Sequence, residues 1–399
     1  MKLIHKTYKL RIYPNKEQAE LMTKHFGSTR FVWNYFLAER KQSYLESKKS
    51  LTYYDNAQTL VALKKTDEFK WLKDVNSQSL QASLKDLDTA YGRFFKKQAM
   101  FPRFKKKGLC TNSFQCPQHF KIVEGKLQIP KFKLIKLNIH REIEGKTLFV
   151  TISKTRTDKY FATITCEVEH EPLPKSDKAI GIDLGIKDLA VCSDGIVFGN
   201  IKTTKKYAKK LTFEQRQLSK KKKGSNGRSK QRRQVALVHE KIRNIRLDNI
   251  HKFTTQIVKN NGIIVTENLN VAGMVKNHNL AKAIADASWH EATRQFKYKS
   301  DWNDRSLVEI DRFFPSSKTC SVCNFINQNL TLKNREWTCP NCQTFHNRDD
   351  NASKNILKQG LNILNCVSGT DSQSKQKQGK ASVSNQSLRP LMPRLLAAG

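Results

Sequence analysis

The sequence predicts an α+β chain of several domains. Three observations carry that prediction. A period-two stretch runs from about residue 112 to 172. Apolar residues recur at helical spacing over 77–97. Two Cys-x-x-Cys pairs lie close together near the end. At 399 residues the chain can build more than one hydrophobic core.

Residues 3–13 read as an extended strand, closed by Pro14 and Asn15. A helical region follows, with Phe26, Phe31, Trp33, Tyr35 and Phe36 as core aromatics. Leu80, Leu84, Leu87, Tyr91 and Phe94 define an amphipathic helix over 77–97. FFKKQAMFPRFKKK, residues 94–107, ends it with six basic residues and no acid among them. Arg103, Lys105, Lys106 and Lys107 are therefore candidates for nucleic-acid contact, with phenylalanines nearby for base stacking. A charged loop anchored by aromatics is the plainer reading.

After residue 112 the period changes. Ile135, Leu137 and Ile139 alternate with polar residues, as do Leu148, Val150 and Ile152. Tyr160, Ala162, Ile164, Cys166 and Val168 do the same. Several short strands of this kind make a small β-barrel or sandwich. If 3–13 joins it, the helices are an insertion into a β domain. EPLPKSDK, 171–178, is a linker.

AIGIDLGIKDLAVCSDG, 179–195, opens a new domain. One apolar strand ends at Asp183, and a second begins near Leu189 and turns at Ser193-Asp194-Gly195. Residues 202–246 hold 17 Lys or Arg against two Glu, with Lys220, Lys221, Lys222 and Lys223 in one run. Charge of one sign favours phosphate contact over a merely solvated helix pair. GIIVTENLNVAG, 262–273, is another buried strand with Glu267 at its C-terminal end. A helix is expected over 280–299. Residues 367–399, rich in Ser, Gln, Lys and Gly, read as disordered.

Lys plus Arg is 73 and Asp plus Glu is 35, a net charge of +38. Such a surplus repels itself unless a polyanion is near, so nucleic acid is the expected partner. No stretch has the length of a membrane span, and the start carries charge throughout, unlike a signal peptide. Four of nine cysteines form two tight pairs and five are scattered. This suits a reducing cytoplasm with one metal site.

Cys320, Cys323, Cys339 and Cys342 have the spacing C-x2-C-x15-C-x2-C. Two thiolates on each of two knuckles complete a tetrahedron around Zn²⁺ and leave no open position, so the metal is structural. His346 exceeds that set and is expected to pack or hydrogen-bond nearby. Asp183 and Glu267 are another matter. A carboxylate at the end of an apolar strand is costly unless a cation or hydrogen bonds compensate it. Two of them suggest a shared divalent-metal site, and Mg²⁺ takes such hard oxygen ligands. Two ions about 4 Å apart suit phosphodiester hydrolysis. HNRDDNAS, 346–353, and Asp311 both offer a third acid, and spacing alone does not choose between them.

GIDLG, TENLNVAGM, FFPSSKTCSVC…CPNC and HNRDDNAS, in this order, resemble the TnpB family, transposon-encoded proteins related to type V CRISPR effectors. YKLRIYPNKEQ, GSTRFVWNYFLAERK, LQASLKDLDTAYGRFF and FPRFKKKG extend the likeness over about residues 5–365. The resemblance implies a RuvC-like nuclease core of the RNase H fold, with Asp183, Glu267 and Asp349 as its split triad. Aligned on Arg348, Asn351 and Ala352, Asp350 takes the variable position. It implies a guide RNA made from the transposon end, a double-stranded DNA target and a short adjacent motif read by the protein. Asp183 would bridge two Mg²⁺ ions, with Glu267 and Asp349 holding one each. Tyr54, Gln78 and Gln81 are candidates for reading the adjacent motif. The family's usual Asp before the Arg is Asn347 here.

The expected organisation follows. Residues 1–15 give the first strand of a wedge-like β-barrel, 16–111 the helical insertion and 112–177 the rest of the barrel. Residues 178–312 form the nuclease core with a basic helical segment at 202–250. The zinc ribbon is 313–345, the last core segment 346–366 and the tail 367–399. The expected function is RNA-guided DNA cleavage in a prokaryotic cytoplasm, near the nucleoid. A strand-transfer transposase and a non-catalytic RNA- or DNA-binding regulator are the rivals.

Overall fold

The computed structural model describes residues 1–331 and 333–368, so the expected tail lies, beyond Ser368, outside the described residues. Two compact units divide the chain, Met1–His170 and the part from Glu171 onward.

The first unit begins with β1 (Lys2–Tyr13), then α1 (Lys16–Ser47), α2 (Tyr53–Leu63) and α3 (Ser77–Phe95). Strands follow: β2 (Asn112–Cys116), β3 (Lys121–Val123), β4 (Lys126–Gln128), β5 (Ile135–Asn138), β6 (Lys146–Lys154) and β7 (Tyr160–His170). All seven strands make one antiparallel sheet in the order β2-β6-β7-β1-β5-β4-β3. β1 sits in its middle, paired with β7 from Lys2↔His170 to Ile12↔Tyr160 and with β5 on its other edge. The three helices thus lie in sequence between a central strand and the rest of its sheet.

Chain length forces this sheet to curl. β2 and β3 lie at opposite ends of the order, yet only residues 117–120 join them. That link spans at most about 18 Å. A flat sheet of this width would hold its edge strands about 28 Å apart. The strand order ends at β2 and β3, with no pairing between them among the described residues. The sheet is therefore curled and open.

Alternation buries Ile4, Tyr8, Leu10 and Ile12 of β1 and Tyr160, Ala162, Ile164, Cys166 and Val168 of β7. The helices build their own cluster from Val32, Trp33, Phe36, Leu37, Leu60, Leu80, Leu84 and Leu87. Their starts are fixed by capping. Asn15 and Gln18 form a capping box at α1, Thr52 and Asp55 one at α2, and Asn76 accepts from the Gln78 N–H at α3.

The second unit holds β8 (Ala179–Asp183), β9 (Asp188–Cys192), β10 (Val197–Gly199), α4 (Thr203–Lys206), α5 (Ala208–Ser219) and α6 (Asn226–Asn260). Then come β11 (Ile263–Glu267), α7 (Val271–Met274), α8 (His278–Ala287), α9 (Trp289–Trp302) and β12 (Ser306–Ile310). β13 (Glu336–Thr338), β14 (Phe345–Asn347) and α10 (Arg348–Ser368) complete it. Its main sheet runs β10-β9-β8-β11-β12, with β8, β11 and β12 parallel and β9 and β10 antiparallel to their neighbours.

Period two sorts the faces of this sheet. Ile180, Ile182, Ile264 and Leu307 pack with Ile250, Phe253 and Ile257 of α6 and Trp289 and Phe296 of α9. Val265, Val308 and Ile310 pack with Ile356 of α10. α10 lies directly on the strands. A Cβ at Gly181 would stand 2.2 Å from the Ser353 carbonyl oxygen and 2.6 Å from the Leu357 nitrogen. One at Gly360 would stand 2.3 Å from Val265 Cγ1. Two glycines, one on each element, permit this approach.

The helix expected over 280–299 is two helices. Ser288 takes the left-handed conformation (φ 54°), its N–H caps Ile284, and the chain turns. Trp289 then enters the core and donates from Nε1 to the Gly185 carbonyl at 3.3 Å. A buried indole thus overrides continuous helical periodicity.

Candidate active site

Asp183 and Glu267 end two adjacent parallel strands. Thr266 stands opposite Ile182, so the next residues, Glu267 and Asp183, are neighbours on one face. It is the face that α10 covers, as Gly181 and Val265 two residues back show. α10 begins at Arg348, and Asp349 lies in its first turn, where the helix dipole favours an acid. Three separate stretches thus deliver three carboxylates to one place.

Their charges act on one another. Asp183 is pushed up to about 7, first by burial, then by the charges of Glu267 and Asp349, against the opposing pull of Arg348 and Arg335. Burial also raises Glu267, while the hydroxyl of Ser316, donating to Oε1 at 2.6 Å, works against it. Asp349 pairs with Arg335 at 3.2 Å. Among the described residues, the three do not meet as ligands of a single ion, whose donor atoms would lie within 4.8 Å of one another. A pair of ions spreads its ligands more widely.

The adjacent acids take different partners. Asp350 Oδ2 accepts from Lys354 Nζ at 2.8 Å, one helical turn on, whereas Asp349 pairs with Arg335 and adds its charge to that acting on Asp183. Asp311 is exposed and out of phase, because Ile310 is the residue opposite Glu267. Its Oδ1 instead accepts from the Phe313 N–H at 2.8 Å.

The four cysteines form a second cluster, with all Sγ atoms within 4.8 Å of one another. Cys320–Cys342 and Cys323–Cys339 both measure 3.6 Å. A tetrahedron with Zn–S bonds of 2.3 Å has edges of about 3.8 Å, so the donor set fits Zn²⁺. The two knuckles are one turn made twice. Asn324 N–H bonds to Cys320 O at 3.0 Å and Gln343 N–H to Cys339 O at 2.9 Å, and Asn324 and Gln343 are both left-handed. His346 packs on Trp337, with Nε2 3.0 Å from Cys320 Sγ. The ribbon also holds α10: Asn351 accepts from Ser321 N–H and donates to Thr319 O, and Asn355 donates to Thr319 O and Ser316 O.

A protein of Streptomyces pristinaespiralis named "Putative RNA-guided DNA endonuclease" is 36% identical over 99% of this chain and all of its own length. The family model described as "Probable transposase" matches residues 163–278, "Cas12f1-like, TNB domain" matches 289–356 and "Helix-turn-helix domain" matches 1–49. The chain belongs to the TnpB family. "Putative RNA-guided DNA endonuclease InsQ" of Escherichia coli K12 is 34% identical over 90% of this chain and 93% of its own. A mimivirus "TnpB-like protein L770" is 24% identical over 88% and 73%. The solved structure titled "Cryo-EM structure of the Cas12f1-sgRNA-target DNA complex" shares the fold, with TM-score 0.54 and 14% identity over 89% of this chain and 98% of that one.

The departure from the TnpB pattern has a local account. Asn347 Oδ1 accepts from the Asp349 N–H at 3.2 Å and the Asp350 N–H at 3.4 Å, so it caps α10. Asn and Asp cap equally well. Ser316 and Arg335 escaped sequence reasoning. Ser316 stood inside the FFPSSK motif, but nothing in the spacing aims its hydroxyl at Glu267. Arg335 carried no signal.

The proposed nucleic-acid contacts are scattered. Lys220, Lys221, Lys222 and Lys223 are all exposed at the α5–α6 turn. Arg103, Lys106 and Lys107 are exposed, but Lys105 turns inward, 3.7 Å above the Trp33 ring, and burial lowers its pKa. Hydrogen bonds from Trp33 to Arg103 O and between Asn34 and Lys105 tie that segment to α1. Tyr54 and Gln81 are exposed on α2 and α3, while Gln78 bonds to Gln118 at 3.2 Å.

Proposed function

We propose that this chain is the RNA-guided DNA endonuclease of a transposable element, with an RNase H-like (RuvC) core that hydrolyses phosphodiester bonds. The observation that carries the reading is the meeting of Asp183, Glu267 and Asp349 at the ends of β8 and β11 and the start of α10. The sheet order, third-second-first-fourth-fifth with the second strand antiparallel, supports an RNase H-like core. The names of full-length relatives support the guide RNA and the DNA target.

Asp183, Glu267 and Asp349 would hold two Mg²⁺ ions, which when bound supply an activated water and charge stabilisation of the leaving oxygen. The chain's own contribution is placement. Asp183 is the acid whose electrostatics couple it to both of the others. Ser316 orients Glu267, and Arg335 balances Asp349. The cysteine cluster would hold Zn²⁺ and fix the start of α10, hence Asp349. Exposed lysines would track phosphates without reading sequence, which base pairing with the guide supplies.

The deciding experiment is plasmid cleavage by protein co-expressed with its native flank, given Mg²⁺ and a guide-matched target beside a randomised flank. Guide-dependent cutting is expected, and Asp183→Ala should reduce it at least about a thousandfold while the protein stays folded. Cutting that survives Asp183→Ala sinks the assignment. The description "Probable transposase" favours strand transfer instead, and joined products carrying transposon ends would establish it.

A further inference from the structure

Phe313 is a large apolar side chain with 84% of its surface exposed. It follows Asp311 and precedes Phe314, which packs into the α10-side core. The loop carrying it is pinned beside Glu267 at both ends. Ile310 is the cross-strand partner of Glu267, and the Ile310 carbonyl accepts from the Asn268 N–H at 3.2 Å. Ser316 returns to Glu267 through its hydroxyl at 2.6 Å. Between these anchors, Asp311 closes a tight turn by accepting from the Phe313 N–H. Phe313 stands three residues from each anchor, so its Cα lies within about 11 Å of the Cα atoms of Ile310 and Ser316, the two residues that adjoin Glu267. Arg312 lies beside it, 5.7 Å from the ring centroid.

A solvated phenyl ring has no stabilising role in this chain, and burying it would be favourable. A fixed aromatic face next to a guanidinium, close to a cluster of carboxylates, matches one class of ligand. We infer that Phe313 is a stacking platform for a nucleobase of the DNA strand being cut, one or two nucleotides from the scissile phosphate, with Arg312 on that nucleotide's phosphate. Phe313 is thus a positioning residue, since it touches neither the reacting atoms nor the metal ligands. The inference rests on the endonuclease reading and deepens it.

The test uses the guide-loaded protein. Phe313→Ala should cut about 5- to 100-fold more slowly than wild type, the range expected for one lost base stack. Phe313→Trp should restore cutting to near the wild-type rate. Because the side chain is exposed, melting temperature should not change. A second readout scans 2-aminopurine through a short single-stranded substrate bound to Asp183→Ala protein. One position should brighten when Phe313→Ala is added. If wild type cuts and Phe313→Ala cuts equally fast, the platform is overturned while the nuclease stands. If wild type does not cut, the nuclease reading fails, and a scan with no position dependent on residue 313 overturns the platform as well.

Discussion

The second unit contains two clusters of metal-ligand type, built in opposite ways. The cysteine cluster comes from two knuckles, each closed by its own local hydrogen bonds, Asn324 to Cys320 and Gln343 to Cys339. The carboxylate cluster takes one residue from each of three stretches spread over 167 positions, from Asp183 to Asp349. Nothing local assembles it. It depends on strand register and on where α10 lands. The contrast teaches that a site made of short-range turns is visible as spacing, whereas a site made by packing is visible only as isolated residues of the right type.

The clusters are also coupled, because the segment carrying Cys320 hydrogen-bonds the helix that carries Asp349. The sharpest way to break the comparison is to remove a ligand from the cysteine cluster. Cys339→Ser should abolish zinc content, cost most of the roughly 10 kcal/mol such sites supply, and abolish cutting. A zinc-free variant that cuts at the wild-type rate would separate the clusters. Asp183→Ala, the reverse experiment, should leave zinc stoichiometry unchanged.

Protonation sharpens the contrast next. The folded-state pKa of Asp183 stands near 7, above its ordinary 3.8. A raised carboxylate stabilises the fold at low pH, and that contribution is lost as pH rises through about 7. Metal-free protein should therefore lose up to about 4 kcal/mol relative to Asp183→Asn between pH 4 and 7. Denaturant melts of the two proteins at several pH values measure this. Equal pH dependence would show that burial and the neighbouring acids do not raise Asp183 as described.

Packing supplies the next test. Gly181→Ala drives a Cβ into the α10 backbone, with no flexible side chain to yield. A cost of about 1–3 kcal/mol is expected, with a disproportionate loss of cutting as Asp349 shifts. A melting temperature unchanged by this substitution would refute the close contact. The smallest effect is at the cap. Asn347→Ala should cost about 1 kcal/mol, while Asn347→Asp should stay within about 0.5 kcal/mol and keep activity. If Asn347→Asp raised cutting sharply, the residue would be more than a cap.

Particular elements show how far the sequence could be read. The helix over 77–97 is α3, Ser77–Phe95, because its leucines bury at helical period. β7 alternates as its residues predict. The failures have physical causes. The break at Ser288 follows from a left-handed residue that lets Trp289 into the core, and no periodicity encodes that. Lys105 looks like its basic neighbours, yet it faces Trp33 because its backbone is tied to Asn34. In the site, residue type and spacing put Asp183 and Glu267 at strand ends and left the third acid open between Asp311 and the Asp349-Asp350 pair, and the family resemblance assigned it to Asp349. Strand phase sets Asp311 aside, and the Lys354 pairing draws Asp350 away.

By itself, then, the sequence determined the basic charge, the family, the cysteine knuckles and the strands that end in acids. These depend on residue type and on neighbours a few positions away. Only the tertiary structure decided that the opening strand lies mid-sheet, that two glycines seat α10 on β8 and β11, and that Ser316 and Arg335 reach Glu267 and Asp349. Those outcomes are contacts between distant residues, and they are set by the volume and hydrogen bonds available when the elements meet.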